Sequence, residues 1–303
     1  MRAVFYLACA ILLSVFCCSC EKTQGNETPD IPEQQWQKYP ELGELKIMSF
    51  NVRYGTAKES NPQNGWDFRK AACVAMIRDH KPTLIGFQEA VYDVQWQFFL
   101  KEFADEYDGF GVGRDDGAKK GETMGIMYRK DEIRKHEEGT FWLSPTPDVC
   151  SKATEWGAGH FRTATWGIFE YIATGERFFF MNTHLDVKST RNHAMKLIAE
   201  RIKMYNPENL PVYLAADFNA DASDTIFNNI NGTLKNTRLY APTDRTDHGP
   251  TANSWTGESK SIIDHIYCSK HLNIVEYRTV RDPYNSVKFI SDHYPIYAIV
   301  SLR

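Results

Sequence analysis

Apolar runs along this chain repeatedly end in a polar residue of a few recurring types. The run LKIMSFNV closes around Asn51, TLIGFQEA runs into Glu89, and RFFFMNTHLD ends at His184. PVYLAADFN ends at Asp217 and Asn219, SIIDHIYCS carries Asp264, and ISDHYPI carries Asp292 and His293. Short apolar runs bounded by polar or turn residues predict strands. Strand ends are where a rigid scaffold presents side chains to a cleft. GFGVGR, TMGIMYRK, FRTATWGIFEYIA, NIVEYRTVR and PIYAIVSLR also predict strands, with ATGER as a hairpin turn. Helical spacing appears in WDFRKAACVAMIRDH, where Trp66, Cys73, Val74 and Ile77 recur and Lys81-Pro82 ends the helix. VQWQFFLKEF, STRNHAMKLIAERIKMY (stopped by Asn206-Pro207) and the short DTIFNNI complete the helices. Strands interleaved with helices, with no internal repeat, predict an α/β fold in which two mixed sheets pack face to face with helices outside them. The charged, glycine-containing loop from Asp115 to Glu122 is expected to be mobile.

The first residues follow a different rule. Arg2 precedes an apolar stretch from Ala3 to Phe16, too short for a comfortable membrane span, and a cysteine-rich end and the polar EKTQGNETPD follow. This order resembles a bacterial lipoprotein signal, with Ser19-Cys20 as the lipidation site and Cys18 as the alternative. Cys17 stands where such signals usually carry Leu or Val; an ordinary cleaved secretory signal is the competing reading. The expected organisation is therefore a signal over residues 1–20, a Pro-containing tether over 21–43 and one catalytic domain over 44–303. The product would be exported and held at the cell envelope by lipid, with no obligate protein partner. Only Cys73, Cys150 and Cys268 remain in the body, too few and too far apart for a disulfide framework or a zinc pattern.

With 303 residues, 42% hydrophobic and 24% charged, the chain has ordinary globular composition. Its net charge of −4 argues against a protein that holds long nucleic acid without sequence preference.

The polar strand ends carry the chemistry. Hydrolysis of a phosphate ester requires neutralised phosphate oxygens, an oriented water and a stabilised leaving oxygen. Mg2+ or Mn2+ suits the first and third tasks and takes oxygen ligands, usually one or two carboxylates. Glu89 is the first candidate ligand, with Asp292 and Asn51 next. Asp217 and Asn219, two apart on an extended segment, are placed to share a water, the carboxylate taking its proton and the amide orienting it. His293, held charged by Asp264, and His184 are candidate donors to the phosphate. Taken singly each residue has a structural explanation: Asn51 as a turn residue, Asp217 and Asn219 as an Asx turn, the histidines as satisfied core groups. Jointly those explanations would have to coincide.

The joint pattern resembles the endonuclease/exonuclease/phosphatase superfamily, over roughly Leu45 to Arg303. That resemblance implies a four-layer α/β/β/α sandwich and Mg2+-dependent phosphoester hydrolysis. It implies Asn51 and Glu89 as the metal-side pair and His184 as the phosphate-contacting histidine. Asp217 and Asn219 become the water-activating pair, Asp264 the carboxylate orienting a histidine, and Asp292 and His293 the terminal pair. In the abasic-site branch an Asp lies two residues after the first Asn; here Arg53 stands there, which argues against a base-excision role. Arg53 is a candidate phosphate contact or a surface residue, and Arg162, opening a central strand, is the stronger candidate. The substrate is a phosphoester of open class: nucleic acid, phospholipid head group or sugar phosphate. The alternative is a catalytically idle ligand- or partner-binding lipoprotein of the same fold.

Overall fold

The computed structural model describes residues 36–37, 39–186 and 188–302. The expected signal segment, and the tether up to residue 35, lie outside the described residues. Ahead of the expected domain start, Trp36 and Gln37 already touch the body. The Gln37 backbone N–H donates to Glu276 at 2.8 Å, and the Arg278 guanidinium lies 5.2 Å from the centre of the Trp36 ring.

In chain order the elements are β1 (Glu44–Asn51), α1 (Trp66–His80), β2 (Leu84–Gln88), β3 (Ala90–Val91), α2 (Gln97–Glu102), β4 (Tyr107–Phe110), β5 (Glu122–Thr123), β6 (Ile126–Arg129), β7 (Ile133–Trp142), β8 (Thr163–Tyr171) and β9 (Glu176–His184). There follow α3 (Lys188–Tyr205), β10 (Val212–Asp217), β11 (Leu234–Asn236), α4 (Thr237–Tyr240), β12 (Asp264–Ser269), β13 (Ile274–Thr279) and β14 (Ile296–Ser301). One six-stranded sheet runs β13-β14-β1-β2-β6-β4, the other β11-β12-β10-β9-β8-β7, and β3 pairs with β5 apart from both.

Side chains alternate across a strand, so each strand feeds two layers. Leu45 and Ile47 of β1, Phe178 and Phe180 of β9, Tyr213 and Ala215 of β10 and Ile266 of β12 share one buried cluster between the sheets. The intervening residues face outward. Met48, Phe50 and Phe87 pack on Trp66, Met76, Ile77 and Phe99 of α1 and α2, while Phe179, Met181, Leu214 and Ala216 pack on Met195 and Ile198 of α3. The result is the expected α/β/β/α sandwich. Burial on this pattern, worth roughly 1.5–3 kcal/mol per large apolar side chain, leaves slippage by one residue no stable alternative.

Local departures have local causes. Helix α1 spans the predicted residues because Pro82 forbids continuation; Lys81 turns to φ 44° and its N–H closes on Ile77 O. The helix expected at 94–103 is divided between a π-helical turn at Tyr92–Trp96 and α2. The helix expected at 224–230 is a 3-10 segment capped by Asp224. The strand expected over GFGVGR ends at Phe110, because the chain turns back on itself. The loop that follows, Asp115 to Glu122, is a hydrogen-bonded turn. Gly113 N–H bonds Ala118 O, Asp115 N–H bonds Lys120 O, and the Asp116 carboxylate accepts from Ala118 and Lys120 at 2.8 and 2.9 Å. A side chain at Gly121 would meet the Asp115 carboxylate at 2.5 Å.

Candidate active site

The inward rows between the sheets change character at one end. On β1 the row reads Leu45, Ile47, Ser49, Asn51; on β9, Phe178, Phe180, Asn182, His184; on β10, Tyr213, Ala215, Asp217; and antiparallel β12 brings Asp264 after Ile266. Register aligns Asp217 with both His184 and Asp264. All four rows thus pass from hydrocarbon to polar groups within a few residues: to an amide on β1, through an amide to His184 on β9, and directly to a carboxylate on β10 and β12. The amide layer is bonded across the sheets, except that the buried Gln88 Oε1 has no hydrogen-bond partner among the described residues. Gln88 Nε2 donates to Asn182 Oδ1 at 2.7 Å and to Ser49 Oγ at 3.1 Å, and Asn182 Nδ2 donates to Phe87 O and Gly125 O at 2.8 and 3.0 Å. Gly86 permits this approach, since a side chain there would strike Asn182 at 2.7 Å.

Above that layer the candidate residues gather. Asn51 Nδ2 donates to Glu89 Oε1 at 2.9 Å and to Asp217 Oδ2 at 3.0 Å. His184 Nε2 lies 3.4 Å and His293 Nε2 3.8 Å from Asp217 Oδ2, and His293 Nδ1 lies 2.9 Å from Asp264 Oδ2. Within Glu89, His184 and Asp217, and again within Asp217, Asp264 and His293, the nearest ligand atoms all fall within 4.8 Å of one another. Asp292 joins through Arg53, whose Nη1 lies 3.3 Å from its carboxylate while its Nε bonds Glu59 at 2.8 Å. Arg162 lies 3.4 Å from Asp186 through Nη2; its buried Nε and Nη1 have no hydrogen-bond partner among the described residues.

Three residues that shape the site adopt left-handed backbone: Glu89 at φ 60°, Arg53 at 58° and Asn219 at 50°. For residues other than glycine this conformation is costly and persists only where its surroundings enforce it. At Glu89 it turns the side chain out of the strand row, and Tyr54 N–H holds Glu89 Oε2 at 2.8 Å.

Electrostatics separate the groups. Burial pushes the Asp217 carboxyl up to about 7, reinforced by the Asp264 charge and opposed by His293, the Asn219 N–H and Asn51. Burial likewise raises Asp292, aided by Glu89 and opposed by His293 and Arg53. For His293 burial works downward, but Asp264, then Asp217 and Asp292, outweigh it and hold the imidazolium well above its usual value. His184 moves the other way: burial, then the positive charges of Arg162 and Arg114, hold it well below and neutral.

The structure brings all ten predicted residues to one region and shows further bonds made by two of them, Asn51 and Asn219. Asn51 was expected on the metal side, directly or through water; its oxygen accepts from Arg53 N–H at 3.0 Å, and its amide nitrogen separates two carboxylates that would otherwise repel. Asn219 was expected to orient a water beside Asp217. Its backbone N–H bonds Asp217 Oδ1 at 2.9 Å in an Asx turn, and its side chain donates to Leu185 O at 2.9 Å and to His184 Nε2 at 3.1 Å. The bond to a carbonyl fixes which end of that amide is nitrogen, so His184 Nε2 accepts and the ring proton sits on Nδ1. His184 is therefore a neutral group locked by Asn219, with only Nδ1–H left to donate.

Several shaping residues escaped the sequence reading. Asp186, from the same NTHLD run as His184, accepts from His160 N–H at 3.0 Å and holds Arg162. Ser291 Oγ donates to Asn51 O at 2.7 Å, and Thr251 Oγ1 accepts from Asp264 N–H at 3.1 Å. Arg69, buried on α1, donates to Val52 O at 3.0 Å and to Asn64 O at 2.7 Å, pinning the turns that carry Arg53. A motif search could have flagged Asp186; a helix arginine facing the core carries no comparable sequence signal.

Comparison with known proteins shows what the chain is similar to. The sequence pattern of the "Endonuclease/Exonuclease/phosphatase family" matches residues 48–293. The solved mannosyl-6-phosphatase Bt3783 of Bacteroides thetaiotaomicron is 33% identical, covering 84% of this chain and 99% of its own, with a TM-score of 0.79. An endonuclease/exonuclease/phosphatase family protein of the same organism is 32% identical over 88% of this chain and 99% of its own, with a TM-score of 0.80. An uncharacterised protein of Acanthamoeba polyphaga mimivirus is 26% identical over 84% of this chain and 99% of its length.

Proposed function

The chain belongs to the endonuclease/exonuclease/phosphatase family, and from that premise we propose that it is a divalent-metal-dependent hydrolase of phosphoester bonds acting outside the cytoplasm. The observation that carries this reading is the convergence of Glu89, Asp217, Asp264, His184 and His293 at one end of the inter-sheet core. The donor set fits a hard cation: the buried Asp217 and the part-buried Asp292 are both raised by desolvation and by neighbouring acids, the sign of a site with surplus negative charge. Glu89 and Asp292 would hold Mg2+ or Mn2+, which when bound would supply charge neutralisation at phosphate oxygens.

The remaining work falls to this chain's own side chains. Asp217 takes the proton of the attacking water; a carboxyl pushed up to about 7 is a stronger base than an ordinary aspartate. Asn219 N–H, at 2.9 Å from Asp217 Oδ1, and Asn51 Nδ2, at 3.0 Å from Oδ2, hold the carboxylate in place for that step. His293, kept protonated by Asp264, donates Nε2–H to a phosphate oxygen and steadies the charge that builds in the transition state. Arg162, with two unsatisfied buried nitrogens, is the second phosphate donor. Arg53, which pairs with Glu59 and Asp292, positions Asp292 and does not contact substrate.

The similarity to a solved mannosyl-6-phosphatase supports a phosphomonoester substrate over nucleic acid. Export and lipid anchoring rest on the order of Arg2, the apolar stretch and Ser19-Cys20. Metabolic labelling with a fatty acid, lost on Cys20→Ala, tests the anchor.

The direct test of function is hydrolysis of p-nitrophenyl phosphate and bis-p-nitrophenyl phosphate by residues 21–303 with Mg2+ or Mn2+. EDTA should abolish turnover, and Asp217→Ala should reduce kcat by at least ~100-fold, the usual worth of one activating group. Turnover insensitive to both would overturn the assignment.

A further inference from the structure

A cavity of about 570 Å³ opens beside the acids and is lined by Tyr54, Arg114, Glu122, Lys152, His160 and Phe161, among others. Its walls are continuous with the site. Tyr54 holds Glu89 through its backbone N–H, and His160 shares the Asp186 carboxylate with Arg162. Arg114 Nη1 donates to Glu122 Oε2 at 2.6 Å, with both residues less than a tenth exposed, and Trp142 Nε1 donates to Arg114 O at 2.8 Å. A buried ion pair of this kind contributes little net stability, so the fold does not require it for that purpose.

The lining discriminates among the open substrate classes. A polynucleotide groove is basic along its length, and an acyl chain needs an apolar wall. Here guanidinium, ammonium, carboxylate and imidazole stand together with two rings, in a volume suited to one compact ligand. Adjacent hydroxyls on a ring each offer a donor and an acceptor, which is what an Arg–Glu pair presents at its rim. Aromatic faces cover the C–H faces between them.

We propose that this cavity is the specificity pocket for a polyhydroxylated leaving group. The substrate is then a sugar phosphate, its hydroxyls read by Arg114, Glu122, Lys152 and His160 while its phosphate lies toward Arg162 and Asp217. This deepens the phosphoesterase reading above and rests on it.

The test compares Lys152→Ala and Glu122→Gln with the unsubstituted chain, assaying mannose 6-phosphate and p-nitrophenyl phosphate with Mg2+. The expected loss in kcat/KM for the sugar phosphate is ~10–100-fold, the range for one lost polar contact to substrate, and at least ~10-fold greater than for the aryl phosphate. Equal losses on both substrates, or none on the sugar phosphate, overturn the proposal. Lys152 is only partly buried, so its variant reports even if Glu122→Gln fails to fold. A second arm uses Asp217→Asn protein and titration calorimetry. Mannose 6-phosphate should bind at least ~10-fold tighter than inorganic phosphate, and Lys152→Ala should erase the difference; equal affinity overturns the pocket. Preferential sugar-phosphate binding without turnover of either ester by the unsubstituted chain would uphold the pocket and refute hydrolysis alone.

Discussion

Replacing Asp264 with Asn isolates the electrostatic claim on which the mechanism turns. The Asp264 carboxylate lies 2.9 Å from His293 Nδ1; Asp264 is buried and His293 is largely shielded from solvent. At that separation and an effective dielectric of about 20, the pair attracts by about 6 kcal/mol. Asparagine keeps the shape and leaves an oxygen to accept from Nδ1–H, but removes the charge. Burial, which already pushes the imidazole downward, then faces only Asp217 and Asp292. His293 should titrate at a lower pH than in the unsubstituted chain, and its population as a proton donor at neutral pH should fall. The expected kinetic cost is ~100- to 10,000-fold in kcat, the range for removing a positioned acid–base group. Two measurements check this: nitrogen-15 titration of the His293 ring, and the pH profile of kcat on p-nitrophenyl phosphate, whose alkaline limb should move to lower pH. A ring that titrates as before, or a kcat within threefold of the unsubstituted enzyme, would refute the reasoning, because the carboxylate in hydrogen-bond contact with this imidazole would then have no bearing on its charge.

Other consequences are separable. Mg2+ or Mn2+ should raise the Tm, by the linkage that favours any state a ligand binds, and Glu89→Gln should weaken that shift in differential scanning calorimetry while leaving the metal-free Tm within a few degrees. Burial raises the Glu122 carboxyl from its ordinary 4.5 to about 7 despite the attraction of Arg114. The folded chain holds this proton more tightly than the unfolded chain, so its stabilising contribution is complete below about pH 4.5 and is lost as pH rises through about 7, by about 3 kcal/mol. Urea denaturation should show that slope reduced in Glu122→Gln. Asn182→Ala strips partners from Gln88 Nε2, Phe87 O and Gly125 O between the sheets, and should lower unfolding free energy by about 2–4 kcal/mol in the same assay.

How much of this was legible in the chain depends on the range of each interaction. The period-2 rows of β1, β9, β10 and β12, and the Pro82 stop after α1, are local, so the sequence alone determined those strands, the main helices and which residues stand at their polar ends, while the charged β7 and the short β11 escaped it. The layered class followed, because strands with two apolar faces must be covered on both sides. Family resemblance added the gathering of Asn51, Glu89, His184, Asp217, Asp264 and His293. The use of each group was not local. Whether the Asn51 amide turns its nitrogen or its oxygen to the acids depends on where Arg53 N–H lies after a left-handed turn. Whether His184 is neutral depends on burial and on Arg162 and Arg114, brought from other segments. The charges of the Asp115–Glu122 loop are visible in sequence, while the bonds to the Asp116 carboxylate that close its turn are not. Tertiary structure decided protonation, amide orientation and pocket lining, since desolvation and Coulomb terms depend on distances across the fold that no stretch of sequence encodes.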